Sequence, residues 1–243
     1  MGFLTQCGVS DKVAADYEIM KAETNSNKYS TVLLSRHWLT DRVFELELLR
    51  PESFKFNPGQ CIRFHHKTVE RDYSLITTPA DHNLALCLYN VQGGLFSPLL
   101  ASAEIGTGLS FSGPHGYFTY RPSTKPAVFV ATGTGIAPFL SMARAGAKEF
   151  TLLHGVKTSN DLYYESFFLN TARMYIPCLS RGQTQLLSRS DGFQGRVTEY
   201  LRDHLPGGTY DFYLCGRQEM IRDATLLADA RFPGSLVYTE TFY

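Results

Sequence analysis

The strongest chemical signal in the chain is the stretch AVFVATGTGIAPFLSM, from Ala127 to Met142. An apolar run ending at Ala131 leads into Gly133-Thr134-Gly135, and a helix start follows near Ile136 with Pro138 in its first turn. A strand, a glycine-rich turn and a helix N-terminus aim backbone N–H groups and the positive end of a helix dipole at an anion, and glycine lets a phosphate come close. That suits a dinucleotide pyrophosphate. It is not the full G-x-G-x-x-G fingerprint, and on the string alone a plain tight turn reads the same way.

A second signal is RDYSL (Arg71 to Leu75), shortly after PGQCIRF (Pro58 to Phe64). Within a strand, Arg71 and Tyr73 share one face while Asp72 and Ser74 take the other. An arginine beside an aromatic ring can hold a phosphate and cover a flat ring system, and a surface arginine beside a packed tyrosine is the plainer reading. In QGGLFS (Gln92 to Ser97), two glycines and a candidate N-cap precede a short helix, which makes a further candidate anion site or an ordinary hairpin turn. Cys215 ends an apolar run, where a lone cysteine is ordinarily core.

These residues need two different frameworks. From residue 30 to about 120, short strands alternate with turn signals: STVLLS, RVFELELL, CIRFHH, YSLIT, LALCLYNV and LSFSGP, with one short helix at SPLLASA. Spacing this tight predicts a small antiparallel β-barrel or sandwich. The two prolines of RPSTKP (Arg121 to Pro126) mark a linker. Beyond it, the apolar runs AVFVA, FTLLH, MYIPCLS, YDFYLCG and LVYTE alternate with helical stretches near 135–146, 162–172, 195–205 and 217–230. This is the rhythm of an α/β Rossmann-like domain with a parallel sheet of about five strands. The expected organisation is an N-terminal extension over 1–27, a barrel domain over 28–121 and an α/β domain over 122–243.

Composition removes several function classes. The chain of 243 residues carries 23 Lys+Arg against 23 Asp+Glu, so no overall field attracts nucleic acid or an anionic membrane. No stretch approaches the ~20 apolar residues of a membrane span. Asp11, Lys12, Asp16 and Glu18 interrupt the start where a signal peptide would be apolar, so the expected location is the cytosol. Cys7, Cys61, Cys87, Cys178 and Cys215 are widely spaced with no C-x-x-C pair, which argues against a disulfide framework, a zinc ribbon or an iron–sulfur cluster, and no metal is expected.

Taken in order, PGQ, RDYSL, GGLFS, GPHGYF, GTGIAPFLSM, HGV, YYE, LSR, GRV, YLCGRQEM and YTETFY resemble the ferredoxin–NADP reductase family over roughly residues 30–243. The resemblance implies a barrel that binds a flavin and a following domain that binds a nicotinamide dinucleotide, with the two rings meeting in the interdomain cleft. Arg71 would hold a flavin phosphate, Tyr73 would pack on the flavin and Ser74 would hydrogen-bond near its N5. Gly94, Leu95, Phe96 and Ser97 match the turn on the flavin phosphates. Gly133, Thr134, Gly135 and Pro138 match the turn at the nicotinamide nucleotide, and Cys215 and Gly216 the C-G motif beside the nicotinamide. Glu240 matches the acidic residue before the terminal aromatics, of which Phe242 would cover the flavin and Tyr243 would extend toward its adenine side.

Ser180 and Arg181 match a position that contacts the 2′-phosphate in NADPH-using members, with Arg189 and Arg196 nearby. NADPH is therefore preferred over NADH, although similar strings occur in NADH-using relatives and Arg196 also suits a helix start. FAD is preferred over FMN. The resemblance thus implies a monomeric reductase that exchanges electrons between NADPH and a separate carrier, ferredoxin or flavodoxin. Its alternatives are a free-flavin reductase, a reductase component of an oxygenase and a non-catalytic module of the same fold.

Overall fold

The computed structural model describes residues 28–66, 69–181 and 192–241. The extension expected over 1–27 lies outside them. The chain divides into two units, one ending at Tyr117 and the other beginning at Phe118.

The first unit contains β1 (Lys28–Trp38), β2 (Val43–Leu49), β3 (Cys61–His66), β4 (Val69–Ser74), β5 (Asn83–Tyr89), α1 (Ser97–Ser102) and β6 (Gly108–His115). Its strands pair antiparallel in the order β4-β3-β6-β1-β2-β5. The two outer strands meet again where Leu75 bridges Leu86 and the Ile76 N–H reaches the Ala85 carbonyl at 2.9 Å, which closes the sheet into a barrel. A register shift between Leu33 and Ser35 of β1 marks the bulge that lets the sheet curl. Alternate residues face the interior, where Leu33, Phe44, Leu46, Ile62, Phe64, Leu86 and Phe111 pack with Leu100 of α1. Each such side chain contributes on the order of 2 kcal/mol by leaving water.

The strand expected from YSLIT lies earlier in the chain, because charge rather than apolar alternation specifies β4. Arg63 of β3 donates from Nε to Asp72 Oδ1 at 2.6 Å and from a terminal nitrogen to Asp72 Oδ2 at 2.8 Å, while His65 Nδ1 stands 3.0 Å from Glu70 Oε1. These are directly opposed cross-strand pairs on the outer face.

The second unit contains β7 (Ala127–Thr132), α2 (Ala137–Arg144), β8 (Thr151–Val156), α3 (Glu165–Thr171), β9 (Met174–Leu179), β10 (Phe193–Gln194), α4 (Val197–Asp203), β11 (Asp211–Gly216), α5 (Gln218–Arg231) and β12 (Leu236–Thr241). The sheet is parallel, in the order β10-β9-β8-β7-β11-β12. It has six strands rather than about five. The additional one, β10, is a two-residue edge with no apolar run to announce it.

One face of this sheet is aliphatic, with Val128, Val130, Leu153, Ile176 and Leu214 packed with Val197 and Leu201 of α4 and Ile221 and Ala224 of α5. The other face is aromatic: Phe129 stacks on Phe139 of α2 and on Phe150 at 4.7 and 4.5 Å, and Tyr213 stacks on Tyr238 at 4.7 Å. The proline-rich stretch expected as a linker is fastened to this unit. The Arg121 N–H donates to the Tyr213 hydroxyl at 3.1 Å, and Ser123 donates to Asp211.

Candidate functional site

In the first unit, the candidate residues lie on β4 and on the turn after β5. Arg71 opposes Phe64, and Tyr73 opposes Ile62, so both stand on the interior side of the alternation, near the edge. Arg71 is exposed and donates to the Glu70 carbonyl at 2.7 Å, a contact that engages only part of its five-donor guanidinium. Tyr73 sits 6.0 Å from Phe64 and 6.4 Å from Phe96, and those two rings are 5.9 Å apart. Burial pushes the Tyr73 hydroxyl up to about 12, against the opposing pull of the Arg71 charge, so it remains a neutral donor at physiological pH. Ser74 is buried and opposes Cys61 on the other face.

The turn from Val91 to Ser97 is held from within. The Gly94 N–H donates to the Val91 carbonyl at 2.8 Å, and a Cβ on Gly94 would approach that oxygen to 2.9 Å. At Gly93, φ is +73°, and the space before its missing Cβ is open. The Ser97 hydroxyl accepts the Val91 N–H at 2.9 Å, so it fastens the turn and does not cap α1, whose N-cap position belongs to Phe96. Leu95 is exposed at the tip. An exposed guanidinium, a tyrosine ring beside two further rings and an open glycine turn fit a flat, phosphate-bearing group such as a flavin nucleotide.

In the second unit, the candidates gather where the strand order reverses. From β7 the chain proceeds outward through β8, β9 and β10, and then returns to β11 on the other side of β7. In open parallel sheets, ligands bind at the carboxyl ends of the strands at this switch point. Gly133 to Ile136 forms one turn of 3-10 helix that runs into α2, with Pro138 in the first turn of α2. Thr134 is partly exposed on this turn.

Three glycines make the turn possible. Gly133 has φ +55°, an added Cβ at Gly135 would collide with the Cys215 carbonyl, and one at Gly216 would collide with the Thr132 hydroxyl. That hydroxyl also accepts the Arg217 N–H at 2.9 Å and ties the end of β7 to the end of β11. The resulting bare backbone at a helix start fits a pyrophosphate.

Register brings further candidates together. Cys215 lies between Ala131 and Glu240 in a row across the sheet, and the row continues through His154 to Pro177. Cys215 is fully buried and Glu240 partly so. Ser180 and Arg181 are exposed just beyond β9, with the Ser180 hydroxyl donating to the Val156 carbonyl at 3.2 Å. Arg196 stands at the N-cap of α4, where its N–H is taken by Glu199 Oε2 at 2.7 Å. Arg189, Phe242 and Tyr243 lie outside the described residues.

Sequence reasoning missed His154. The HGV string entered only as part of the resemblance, yet the imidazole is fully buried beside the glycine turn, with Nδ1 3.1 Å from the Tyr175 hydroxyl and its ring edge-on to Tyr163 at 5.5 Å. Desolvation holds its pKa down to about 4, although the Gly133 backbone and the Asp161 charge both favour protonation. No group of three or more metal-ligating side chains occurs among the described residues.

Both units match known proteins. Residues 36–120 match a family model described as an oxidoreductase FAD-binding domain, and residues 129–225 match one described as an oxidoreductase NAD-binding domain. Ferredoxin–NADP reductase B of Sorangium cellulosum is 32% identical over 200 residues, covering 74% of this chain and 82% of that protein. The xylene/toluene monooxygenase electron transfer component XylA of Pseudomonas putida is 31% identical over 230 residues, covering 88% of this chain and 65% of that protein. The chain likewise spans 62% of the propane 2-monooxygenase reductase component of Mycolicibacterium goodii, at 28% identity. Among solved structures, a ferredoxin NADP+ reductase from Neisseria gonorrhoeae with bound FAD and NADP has the same fold, with a TM-score of 0.75 at 21% identity over 90% of this chain and all of that one. With both domain models matched in order and a reductase relative 32% identical, the chain belongs to the ferredoxin–NADP reductase family of FAD-dependent oxidoreductases.

Proposed function

We propose that this protein exchanges electrons between NADPH and a one-electron carrier, ferredoxin or flavodoxin, acting as a monomer with FAD held non-covalently. The observation that carries the reading is one chain holding both an aromatic-and-arginine site on β4 and a bare glycine turn at the switch point of a parallel sheet. A flavin, when bound, supplies the conversion between a two-electron hydride donor and a one-electron acceptor.

The chain's own residues position and insulate that chemistry. Arg71 would pair with a flavin phosphate, Tyr73 would cover the ring and the turn from Gly94 to Ser97 would hold the phosphates, while the Ser74 hydroxyl would donate a hydrogen bond near N5. In the second unit, Gly133, Thr134, Gly135 and Pro138 receive the nicotinamide nucleotide, and Cys215 with Gly216 sets the floor against which it lies. Glu240, beside Cys215 in the sheet, would relay or orient a proton together with Ser74. Ser180 and Arg181 would favour the 2′-phosphate of NADPH.

The test is carrier reduction by the FAD-loaded protein with NADPH as the reductant. Reduction of a plant-type ferredoxin or a flavodoxin supports the proposal, and reduction of added free flavin alone contradicts it. The xylene/toluene relative favours a second reading, the reductase component of an oxygenase. In that case electrons reach an oxygenase system's iron–sulfur protein and neither of the other carriers.

A further inference from the structure

The outer face of the β-barrel carries a polar network that strand pairing alone does not require. On β3 and β4, Arg63 and His65 lie opposite Asp72 and Glu70, and charge accounts for those two pairs. The network continues past them. Nε2 of His65 stands 2.9 Å from the Ser112 hydroxyl of β6, and the same hydroxyl stands 2.9 Å from Nε2 of His115. One serine oxygen is thus shared between two imidazoles, while the other ring nitrogen of His65 is 3.0 Å from Glu70 Oε1.

Proton counting gives the direction of each bond. Arg63 donates to the second oxygen of Glu70 at 3.4 Å, so the carboxylate is an acceptor on both sides. It takes the proton of His65 Nδ1, which leaves Nε2 of the neutral ring as an acceptor. Ser112 has one hydroxyl proton and gives it to that nitrogen. Its oxygen can then only accept from the other ring, so His115 presents Nε2–H to it. This assignment gives every contact in the network one donor and one acceptor.

The outcome is an oxygen whose proton is aimed at a base, a base whose ring is set by a carboxylate, and an N–H donor on the far side of that oxygen. An activated serine is recognised by these relations, whatever the fold that carries them. Ser112 retains 8% exposure, and the His65 and Glu70 side chains retain 24% and 54%. The network therefore opens to solvent, and the narrow opening at Ser112 selects short acyl groups.

We propose that Ser112 is a nucleophile and that this face of the barrel transfers short acyl groups from activated esters to water. Ser112 Oγ bonds to the carbonyl carbon as its proton passes to His65 Nε2. The oxyanion that forms takes the Nε2–H of His115, which stood on Oγ before the attack. The carbon–oxygen bond to the alcohol then breaks, and the alcohol leaves with the proton from His65. Water attacks the acyl-serine by the same route and releases the acid, and Ser112 recovers its proton. Ser112, His65 and His115 are the catalytic residues, and Glu70 is a positioning residue that acts through His65.

The experiment incubates the FAD-loaded protein with p-nitrophenyl acetate and, separately, with a fluorophosphonate probe whose adduct is located by peptide mass mapping. The expected result is an adduct on Ser112 and continued release of p-nitrophenolate beyond a single turnover. Ser112→Ala should abolish both while leaving flavin reduction by NADPH unchanged. His65→Gln should slow acylation about a hundredfold, the lower end of what a general base contributes, and His115→Leu by a similar factor. Glu70→Ala should slow it about tenfold, and Glu70→Gln, which keeps an acceptor, should recover most of the loss. In 15N NMR tuned to imidazoles, the resonance absent from His65→Gln should report a proton on Nδ1 in the wild type and on Nε2 in Glu70→Ala, a change that loosened packing does not mimic. The adduct is mapped on the wild type, so the test stands even where a variant fails to fold. A wild type labelled elsewhere and not at Ser112, or ester hydrolysis that a folded Ser112→Ala retains in full, overturns the proposal and leaves the electron-transfer reading intact.

Discussion

The two units reach a nucleotide by opposite means. In the first, the groups that face a ligand are side chains on an already completed β-barrel: Arg71 is exposed, and Tyr73 is only partly buried against Phe64 and Phe96. In the second, they are backbone, and the same glycines that leave it bare also let β7 and β11 meet, since Gly135 abuts the Cys215 carbonyl and Gly216 abuts Thr132. The difference teaches where binding can be separated from folding. A flavin on β4 would be carried by the fold, whereas a nucleotide at the glycine turn would sit on part of its construction.

That contrast is most easily broken at Gly135. Gly135→Ala drives a Cβ into the Cys215 backbone, which cannot swing aside as a side chain would, so a loss of about 3 kcal/mol or more is expected together with loss of nicotinamide binding. Chemical denaturation measures the first and calorimetry the second. Full stability with tight binding would mean that the two strands are not locked there.

The second unit should also show an acid liability at His154. His154 stays neutral in the native state down to about pH 4, whereas in the unfolded chain it binds a proton below about pH 6.5. The unfolded state therefore holds more protons across that window, and stability falls as pH drops from about 6.5 to 4, by about 3 kcal/mol from this group. The difference between wild-type and His154→Gln denaturation curves over that range isolates it, and parallel curves would place the imidazole in contact with water.

On the flavin side, Arg71→Ala should cost about 2 kcal/mol of flavin affinity, roughly thirtyfold, with the melting of the flavin-free protein unchanged within about 0.5 kcal/mol. Equal losses in both would erase the distinction between the units. The smallest effect is expected at Ser74. Ser74→Ala should slow flavin reduction about tenfold while retained flavin changes little, as read by rapid mixing and by absorbance of the purified protein. An unchanged rate would remove Ser74 from the chemistry.

How far the sequence revealed this follows from the same physics. Period-two alternation in RVFELELL and the βα rhythm after residue 126 made β2 and the parallel sheet other than β10 readable, and the strand–glycine–helix string marked the turn after β7. β4 was displaced because its pairing partner, not its own pattern, specifies it: Glu70, Arg71 and Asp72 read as loop until Arg63 and His65 are set opposite them. β10 was too short to have a pattern at all.

Residue type and spacing marked Arg71, Tyr73 and Gly133 to Gly135 as candidates, and the structure sets them on β4 and on the turn after β7. The hydroxyl of Ser97 turned back into its own loop, a choice settled by tertiary geometry. His154 remained hidden because an isolated histidine in an apolar strand carries no spacing signal. Only its register beside Ala131 and its bond to Tyr175 reveal what it lies under.

Hydride transfer from NADPH into a bound flavin is tested by anaerobic titration of the purified protein with NADPH and, separately, with NADH, following the oxidised-flavin absorbance band. A yellow protein that bleaches with NADPH, and more slowly with NADH, is expected. A flavin-loaded protein whose absorbance neither reductant alters would contradict it.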